Sequence, residues 1–418
     1  MLQNNKLPKD WNYVKIKEIC EVMTGTTPPK SDITNYGSDI PFFKPPHLWD
    51  GLINETEEML SFKGGSKARI VPPNTVLVTC IGNLGRTGYV KKDSAFNQQI
   101  NAILENEKII GKYIFYQAQS PSFRNQLEKL ATGTTVSIVN KSNFETIIIP
   151  LAPLALQHSI VSKIEELFSE LDKAIEDLKT AQQQLKIYRQ SVLKWAFEGK
   201  LTNKRVKEGE LPKSWKITKI NDIVENNKHS LKAGPFGSSL KKEFYVKEGY
   251  KIYGQEQVIS NNPFIGEYYI DEDKYEELKS CQIKPLDILI SLVGTVGKVL
   301  ILPENCKKGI INPRLIKITL DKDIYLPSFF KYYFESSSVK IFYSSITKGT
   351  TMNVLNLGII KTIPFPLPNI KEQEQIIQEI ERRLSVADKM EESIAQSLQQ
   401  AEALRQSILK KAFSGELI

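Results

Sequence analysis

The sequence is poor in the residues from which disulfides, metal sites and membrane spans are built. Its 418 residues include four cysteines and three histidines. The cysteines are scattered without a Cys-x-x-Cys pair, and the histidines lie far apart, so we expect a reduced protein without disulfides or a bound metal. No run approaches about 18 apolar residues, and the opening MLQNNKLPKDW lacks the apolar stretch of a secretory signal. These absences predict a cytoplasmic protein that does not enter a membrane.

Several catalytic motifs are also missing. The sequence contains no Gly-x-x-x-x-Gly-Lys-Ser/Thr phosphate loop, no Asn/Asp-Pro-Pro-Tyr/Phe methylase motif and no His-Glu-x-x-His. A nuclease would need clustered carboxylates and a lysine around a metal ion. Triplets with Glu-x-Lys spacing occur at 198–200 and 272–274, but chance accounts for them in a chain with 25% charged residues. We therefore expect a protein without an active site of its own.

The sequence is an internal repeat of two related halves. The repeat begins with LPKDW at 7–11, which returns as LPKSW at 211–215. Four further pairs follow in the same order: VPPNTVLVTCIGN and IKPLDILISLVGT, TGTT and KGTT, IPLAPL and FPLPNI, YRQSVLKWAFEGKL and LRQSILKKAFSGEL. A period near 210 residues is too long for a solenoid unit. The sequence thus predicts two copies of one large module, each a globular block followed by a long helix.

The segment that closes each copy has the apolar spacing of a coiled coil. In the first copy the 4-3 spacing persists for five heptads without an internal proline or glycine. The predicted helix-pair interface consists of Ile160, Ile164, Leu167, Leu171, Leu178, Leu185 and Val192 in the first helix, and Ile376, Ile380, Ile394, Leu404 and Ile408 in the second. We expect the two helices to pack antiparallel. The alternative, two solvated linkers, would leave this apolar seam in water.

These features predict an α+β fold with an internal pseudo-twofold repeat, in which two mixed globular domains are joined by two antiparallel coiled-coil helices. The predicted boundaries are 1–153 for the first block, 154–201 for its helix, 202–368 for the second block and 369–418 for the second helix. The net charge is +8, with +3 and +7 on the blocks and 0 and −2 on the helices. A polyanionic partner would therefore contact the blocks, although a mildly basic surface without such a partner has the same balance.

Each block has a glycine turn followed by a cation. Gly82 and Gly85 precede Arg86 in one block, and Gly294 and Gly297 precede Lys298 in the other. Glycine lets the backbone approach a phosphate, which the cation would neutralise. The later TGTT and KGTT turns offer the hydroxyls of Thr134, Thr135, Thr350 and Thr351 for the same purpose. An ordinary strand-end turn or a turn capped by its own side chains remains the alternative.

The remaining loops of the two blocks differ, and they are rich in side chains that read base edges. Lysine and arginine recognise guanine, whereas asparagine and glutamine recognise adenine. The candidates are Lys30, Lys44, Asn97, Gln98 and Gln99 in block 1, and Lys232, Ser238, Ser239, Lys241, Gln255, Gln257 and Arg314 in block 2. Taken singly, each of them is more often a solvated surface residue than a base contact.

Taken together, the chain resembles the specificity subunit of type I restriction–modification enzymes. The resemblance rests on LPKDW and LPKSW, on GPFGSSL in block 2, on IPLAPLALQHSI and FPLPNIKEQEQI before the helices, and on AFEGKL and AFSGEL after them. It implies a non-catalytic subunit in which each block is a target recognition domain reading one half of an asymmetric, bipartite site in double-stranded DNA. The helices would set the half-site spacing and dock two methyltransferase subunits, which restriction (translocase–nuclease) subunits would join.

The resemblance also implies that S-adenosylmethionine, ATP and magnesium are bound by the partner subunits, with none on this chain. Two readings from other classes remain open. One is a coiled-coil scaffold for proteins without DNA specificity, and the other is a nuclease or methylase with its own active site. The positive charge of the blocks argues against the first, and the missing motifs argue against the second.

Overall fold

A computed structural model describes residues 7–133, 135–203, 205–207, 209–346 and 355–418. The chain divides into two compact units, Met1–Lys179 with Ile394–Ile418 and Thr180–Ser393. Each unit thus holds one globular block with one end of each long helix, whereas the predicted division separated the helices from the blocks. In the described ranges, no helix is long and apolar enough to cross a membrane.

Block 1 contains two main sheets. The larger has the order β2-β10-β7-β8-β4 and the smaller the order β5-β3-β9-β6, while β1 pairs with β11. The strands are β1 (Asn12–Lys15), β2 (Val22–Thr24), β3 (Tyr36–Phe43), β4 (Gly51–Ile53), β5 (Met59–Leu60), β6 (Ile70–Val71), β7 (Val76–Thr79), β8 (Thr87–Val90), β9 (Ser94–Phe96), β10 (Ile100–Ile103) and β11 (Ile148–Leu151). The helices are α1 (Ile16–Ile19), α2 (Phe62–Gly65), α3 (Gly111–Gln119), α4 (Pro121–Lys129), α5 (Lys141–Phe144) and α6 (Leu154–Phe197), with 3-10 turns at Ile33–Asn35 and Pro45–His47.

Block 2 repeats this plan with fewer strands. Its sheets have the orders β13-β19-β16-β17 and β15-β14-β18, and β12 pairs with β20. The strands are β12 (Lys216–Thr218), β13 (Leu231–Ala233), β14 (Tyr250–Tyr253), β15 (Tyr269–Ile270), β16 (Ile288–Ser291), β17 (Val299–Ile301), β18 (Gly309–Ile311), β19 (Leu315–Ile318) and β20 (Phe365–Leu367). The helices are α7 (Gln255–Ile259), α8 (Glu272–Glu277), α9 (Pro327–Phe334), α10 (Ser337–Ile346), α11 (Leu357–Thr362) and α12 (Ile370–Ser414), with 3-10 turns at Ile220–Asp222, Gly237–Ser239, Lys242–Phe244 and Lys279–Cys281.

The central strand of each larger sheet is buried on both faces, as its continuous apolar run predicts. In β7, Val76 and Val78 belong to one apolar cluster and Leu77 belongs to another. In β16, Ile288 and Ile290 face one cluster and Leu289 faces the other. One of these clusters in each block includes residues of the long helices, so the larger sheet and the helices share a core.

The two long helices run antiparallel inside each unit, as predicted. In the first unit, Ile160 and Ile164 of α6 share a buried cluster with Ile408 of α12. In the second unit, Val192 of α6 shares one with Ile376 and Ile380 of α12. Of the other predicted interface residues, Leu171 is buried, and Leu167, Leu178, Leu185 and Ile394 are half-buried.

Leu404 corrects the predicted interface because 51% of its surface is exposed. The seam at this level consists instead of Ala401, Arg405 and Ile408. Arg405 thus takes the seam position that was predicted for Leu404, the residue before it. The Arg405 guanidinium lies 4.3 Å from the centre of the Phe168 ring and forms an ion pair with Asp172. An aliphatic stem under a charged head can take an apolar seam position, which displaces Leu404 toward solvent.

A buried glutamine ties each long helix to its block. The Gln157 amide accepts from the Ile110 backbone N–H at 3.1 Å and donates to the carbonyls of Lys108 and Ala152 at 2.9 Å each. Gln373, 216 positions later in the sequence, makes the same three bonds, accepting from Leu326 and donating to Ile324 and Pro368. Both side chains are fully buried. We call each of these a glutamine clamp.

We predict that Gln373→Met weakens the second unit. Methionine fills similar volume but leaves one backbone N–H and two carbonyls without their partner, and each buried orphan costs about 1–3 kcal/mol. A total loss of about 3 kcal/mol corresponds to a midpoint lowered by roughly 6–12 °C in a unit of this size. Gln375→Met, at an exposed position of the same helix, is the matched control. Equal calorimetric midpoints for the two variants would show that the clamp contributes nothing.

Candidate nucleic-acid interface

In block 1, most of the polar residues predicted to bind DNA gather at one edge of the larger sheet. The register pairs Thr79 with Ile100, Asn101 with Thr24 and Val78 with Thr87. Loops 25–27, 80–86 and 97–99 therefore lie side by side where β2 and β7 end and β8 and β10 begin. The parallel strands β3 and β9 of the smaller sheet end at the same place. We call this the loop edge of block 1.

Block 2 has an equivalent loop edge. Here Ser291 pairs with Leu315, Ala233 with Ile316 and Ile290 with Val299. The loops that meet there are 234–239, 292–298 and 312–314. Strands β14 and β18 are parallel and also end at this edge. The same topology thus gathers chemically different loops in the two blocks.

The glycine turn has the same construction at both loop edges. Its glycines all have positive φ, at 80° and 77° in Gly82 and Gly85 and at 69° and 76° in Gly294 and Gly297. A hydroxyl at the strand end holds the turn. The Thr79 hydroxyl donates to Asn83 O at 2.6 Å and accepts from the Arg86 N–H at 3.0 Å, and Ser291 bonds Thr295 and Lys298 in the same way. Arg86 and Lys298 are exposed, so each turn presents a cation to solvent.

The TGTT hairpin lies against this turn in block 1. Its ends are joined by the bridge between Thr132 and Ile138, and Gly82 N–H donates to Ser137 O at 2.9 Å. Thr135 is exposed on the hairpin. The two elements predicted to bind phosphate are therefore adjacent. Thr134, Thr350 and Thr351 lie outside the described residues.

Two predicted base readers are buried, and the structure corrects them. Asn97 is 6% exposed and accepts from the Gln99 backbone N–H at 3.1 Å while donating to its side chain at 2.9 Å. Gln257 is fully buried and bonds Gly254 N–H at 2.7 Å and Ile265 O at 2.9 Å. Both amides are consumed in shaping the loops that carry their neighbours.

The other candidates in block 1 differ in how free they are to bind. Gln98 is exposed and accepts from the Thr27 hydroxyl at 2.5 Å, and Lys30 is exposed in the loop that follows β2. Lys44 is half-buried, forms an ion pair with Glu58 and lies 5.6 Å from the centre of the Phe42 ring. The Lys44 ammonium is therefore already neutralised within the block.

In block 2, the candidate base readers other than Lys232 lie after β13, β14 and β18. Ser238 and Ser239 form the 3-10 turn after β13, and Lys241 pairs with Glu243 at 3.5 Å. Lys232 lies within β13, half-buried and opposite Lys317, away from the loops. Gln255 and Arg314 share a cleft of about 360 Å³ with Lys242, Tyr245 and Tyr268.

This cleft is not predictable from the sequence because its walls come from four separate segments. Burial raises the pKa of Tyr245, and the nearby Tyr268 raises it further, so its hydroxyl stays neutral. Next to the cleft residue Ile252 in sequence, the buried ammonium of Lys251 donates to Phe264 O at 3.0 Å and to Ile265 O at 2.7 Å. Burial lowers the pKa of this lysine. Within the described ranges, no group of three or more His, Cys, Asp or Glu residues is arranged to hold a metal ion.

Comparison with known proteins identifies the family. The sequence profile of the type I restriction modification DNA specificity domain matches residues 8–180 and 212–401. The chain belongs to this family. Both matches begin within the LPKDW and LPKSW motifs and extend into the long helices, so each copy of the repeat is one such domain. Members of the family recognise DNA and are not catalytic.

Relatives and solved structures extend the match to the whole chain. The sequence is 25% identical to the EcoBI specificity subunit of Escherichia coli over 97% of this chain and 86% of that one. It is 23% identical to the MjaVIII specificity subunit of Methanocaldococcus jannaschii over 99% and 94% of the two chains. The fold resembles the HsdS subunit from Thermoanaerobacter tengcongensis, with a TM-score of 0.66, 18% identity and 99% of both chains covered. A chain from a type I restriction–modification complex gives a TM-score of 0.75 at 19% identity over 98% and 99%.

We predict that the turn cations contribute to DNA affinity without contributing to sequence preference. Arg86→Ala and Lys298→Ala should each lower the slope of log affinity against log salt by about 1 and weaken specific and non-specific DNA alike, since a phosphate contact releases one counterion. Fluorescence anisotropy of the assembled complex across a salt series measures this. Lys371→Ala, an exposed position of α12, should leave the slope unchanged. Slopes equal to wild type in both turn variants would remove the turns from the interface.

Proposed function

We propose that the protein is the sequence-reading subunit of a type I restriction–modification complex, in which each block recognises one half of an asymmetric, bipartite DNA site. The observation that supports this most directly is the repeated loop edge. Both blocks have the same glycine turn followed by a cation, Arg86 or Lys298, whereas the loops beside it differ. A shared turn suits the uniform phosphate backbone, and unlike loops suit unlike base sequences.

The partners of the complex form part of this proposal. Two methyltransferase subunits would dock on the helices and carry S-adenosylmethionine, and restriction subunits would carry ATP and magnesium. The sequence similarity to curated specificity subunits and the fold shared with a chain from a type I complex support this assembly. The helices would fix the separation of the half-sites, because each block is tied to its helix by a glutamine clamp.

Sequencing of modified bases is the direct test. A host genome that carries the gene and its methyltransferase partner should contain N6-methyladenine at one bipartite, asymmetric motif, and deletion of this gene should abolish methylation at that motif alone. An unchanged methylation map in a strain with an active partner would contradict the proposal and favour a protein scaffold. Methylation or cleavage of DNA by the purified chain alone would instead favour an enzyme with its own active site.

The repeat leads to a second prediction, for residues 1–201. In the first unit Asp172 pairs with Arg405, and in the second Arg189 pairs at 2.6 Å with Asp388. Arg189 and Asp172 stand 216 positions before Arg405 and Asp388. Two copies of a half-chain thus contain both partners of the pair, together with apolar residues equivalent to those at the end of α12. We expect this half-chain to dimerise and, with the methyltransferase, to modify a palindromic site built from one half-site.

Light scattering after size-exclusion chromatography measures the mass of the half-chain. Arg189→Asp should weaken the dimer, because it places like charges against Asp172 of the second copy. Lys186→Asp, at an exposed position of the same helix, serves as the control. A half-chain that is folded but monomeric would contradict the antiparallel pairing on which this prediction depends.

A further inference from the structure

One pair of equivalent positions differs in chemistry between the two blocks. Phe42 N–H donates to Glu58 O at 3.0 Å in block 1, and Ile252 N–H donates to Tyr268 O at 2.8 Å in block 2. Two residues further on, Lys44 N–H donates to the His47 ring and Gly254 N–H donates to the Gln257 side chain. Lys44 therefore corresponds to Gly254, and Glu58 corresponds to Tyr268.

In block 1 this place is closed. The Lys44 side chain crosses it to reach Glu58, and Thr56 adds a contact to the His47 ring at 3.1 Å. The side chain of Lys44 is 20% exposed and that of Glu58 is 41% exposed. In block 1, the charge of Lys44 is thus neutralised by Glu58, and the Lys44 side chain occupies the space.

In block 2 the same place is open. Glycine at position 254 contributes no side chain, and Tyr268 turns toward Tyr245, with the ring centres 5.4 Å apart. The result is the cleft of about 360 Å³ that Lys242, Gln255 and Arg314 also line. The side-chain nitrogen of Gln255 donates to Val293 O, which leaves its oxygen available as an acceptor.

Arg314 is an exposed cation of this cleft whose backbone is held by two hydrogen bonds. Its backbone N–H donates to the Asn312 side chain at 2.9 Å, and its carbonyl accepts from Leu292 N–H at 3.0 Å. Across the described ranges, neither Arg314 nor Lys242 has an acidic partner among the recorded ion pairs. The cleft is therefore lined by two cations, Lys242 and Arg314, and one carboxylate, Glu256, beside two aromatic rings.

We propose that this cleft is a base-reading subsite, absent from block 1, in which Arg314 recognises a guanine of the half-site read by block 2. A guanidinium held at its backbone presents two parallel donors that match guanine O6 and N7. The tyrosine rings and Gln255 form the walls against which the base edge lies. This inference rests on the proposed function and adds the base, the residue and the reason why the two half-sites differ.

The first experiment compares Arg314→Ala with the wild-type complex by methylome sequencing. We expect one guanine in one half-site to become degenerate, with methylation of the original motif lowered roughly 5- to 150-fold, the range that a bidentate contact of about 1–3 kcal/mol gives. Oligonucleotides with 7-deazaguanine, which lacks N7, should lower wild-type methylation at that position and leave the variant's rate unaffected.

The second experiment closes the cleft. Gly254→Lys with Tyr268→Glu transfers the block 1 ion pair to block 2. A Cβ at position 254 would lie 2.8 Å from the Asn312 side-chain nitrogen, which must shift, and 3.6 Å from Gln257 Oε1. We expect this double variant to lose the same guanine preference. The matched control is Lys44→Gly with Glu58→Tyr in block 1, which should alter the other half-site alone.

Two outcomes would overturn the inference and leave the proposed function intact. In the first, Arg314→Ala methylates the same motif as the wild type. In the second, the double variant in block 1 alters the same half-site as Arg314→Ala does. A wild-type complex that methylates no bipartite motif would instead defeat the proposed function itself. Tyr268→Ala tests whether a replacement at position 268 destabilises block 2. Tyr268 is 55% exposed, so we expect this variant to have the melting midpoint of the wild type.

Discussion

The glutamine clamp is the constraint on which the geometry of each unit depends. A helix that leaves a domain through a short connection is free to swing unless something fixes its first turn. Gln157 and Gln373 do so by bonding backbone groups of the block and of the connection itself, and both side chains are fully buried. A buried amide is costly unless all its groups are paired. The clamp therefore selects one orientation of helix and block, which the proposed reading of spaced half-sites would require.

Ion pairs along the helices set the register more than they add stability. Arg189 bonds Asp388 and Glu391, and Arg405 bonds Asp172, at equivalent positions of the repeat. Exposed pairs of this kind contribute about 0–1 kcal/mol each. The buried clusters around Ile160 and Ile376 account for the association. The ion pairs determine which turn of α6 faces which turn of α12, and the buried apolar clusters stabilise that contact.

Much of the fold was predictable because it depends on periodic burial. The apolar runs predicted β7 and β16, and the heptads predicted α6 and α12. Leu404 was misassigned because Arg405 took the seam position, a substitution that a count of apolar residues cannot reveal. The sequence predicts Asn97 and Gln257 as base readers because it does not distinguish an amide that caps its own loop from one that faces solvent. The cleft at Gly254 depends on strand pairing between distant segments, which one sequence does not disclose.

Different parts of the loop edge would supply DNA affinity and sequence specificity, so the two properties can vary separately. The turns at Gly82 and Gly294 are fixed by strand-end hydroxyls and would contact phosphate whatever the bases are. Phosphate contacts supply affinity that is independent of sequence, whereas each base contact adds about 1–3 kcal/mol of discrimination. Arg314 and Tyr268 lie outside the apolar clusters of block 2. Because replacing them would leave the core and the turns intact, the proposed base contacts could change without loss of the fold or of the proposed phosphate contacts.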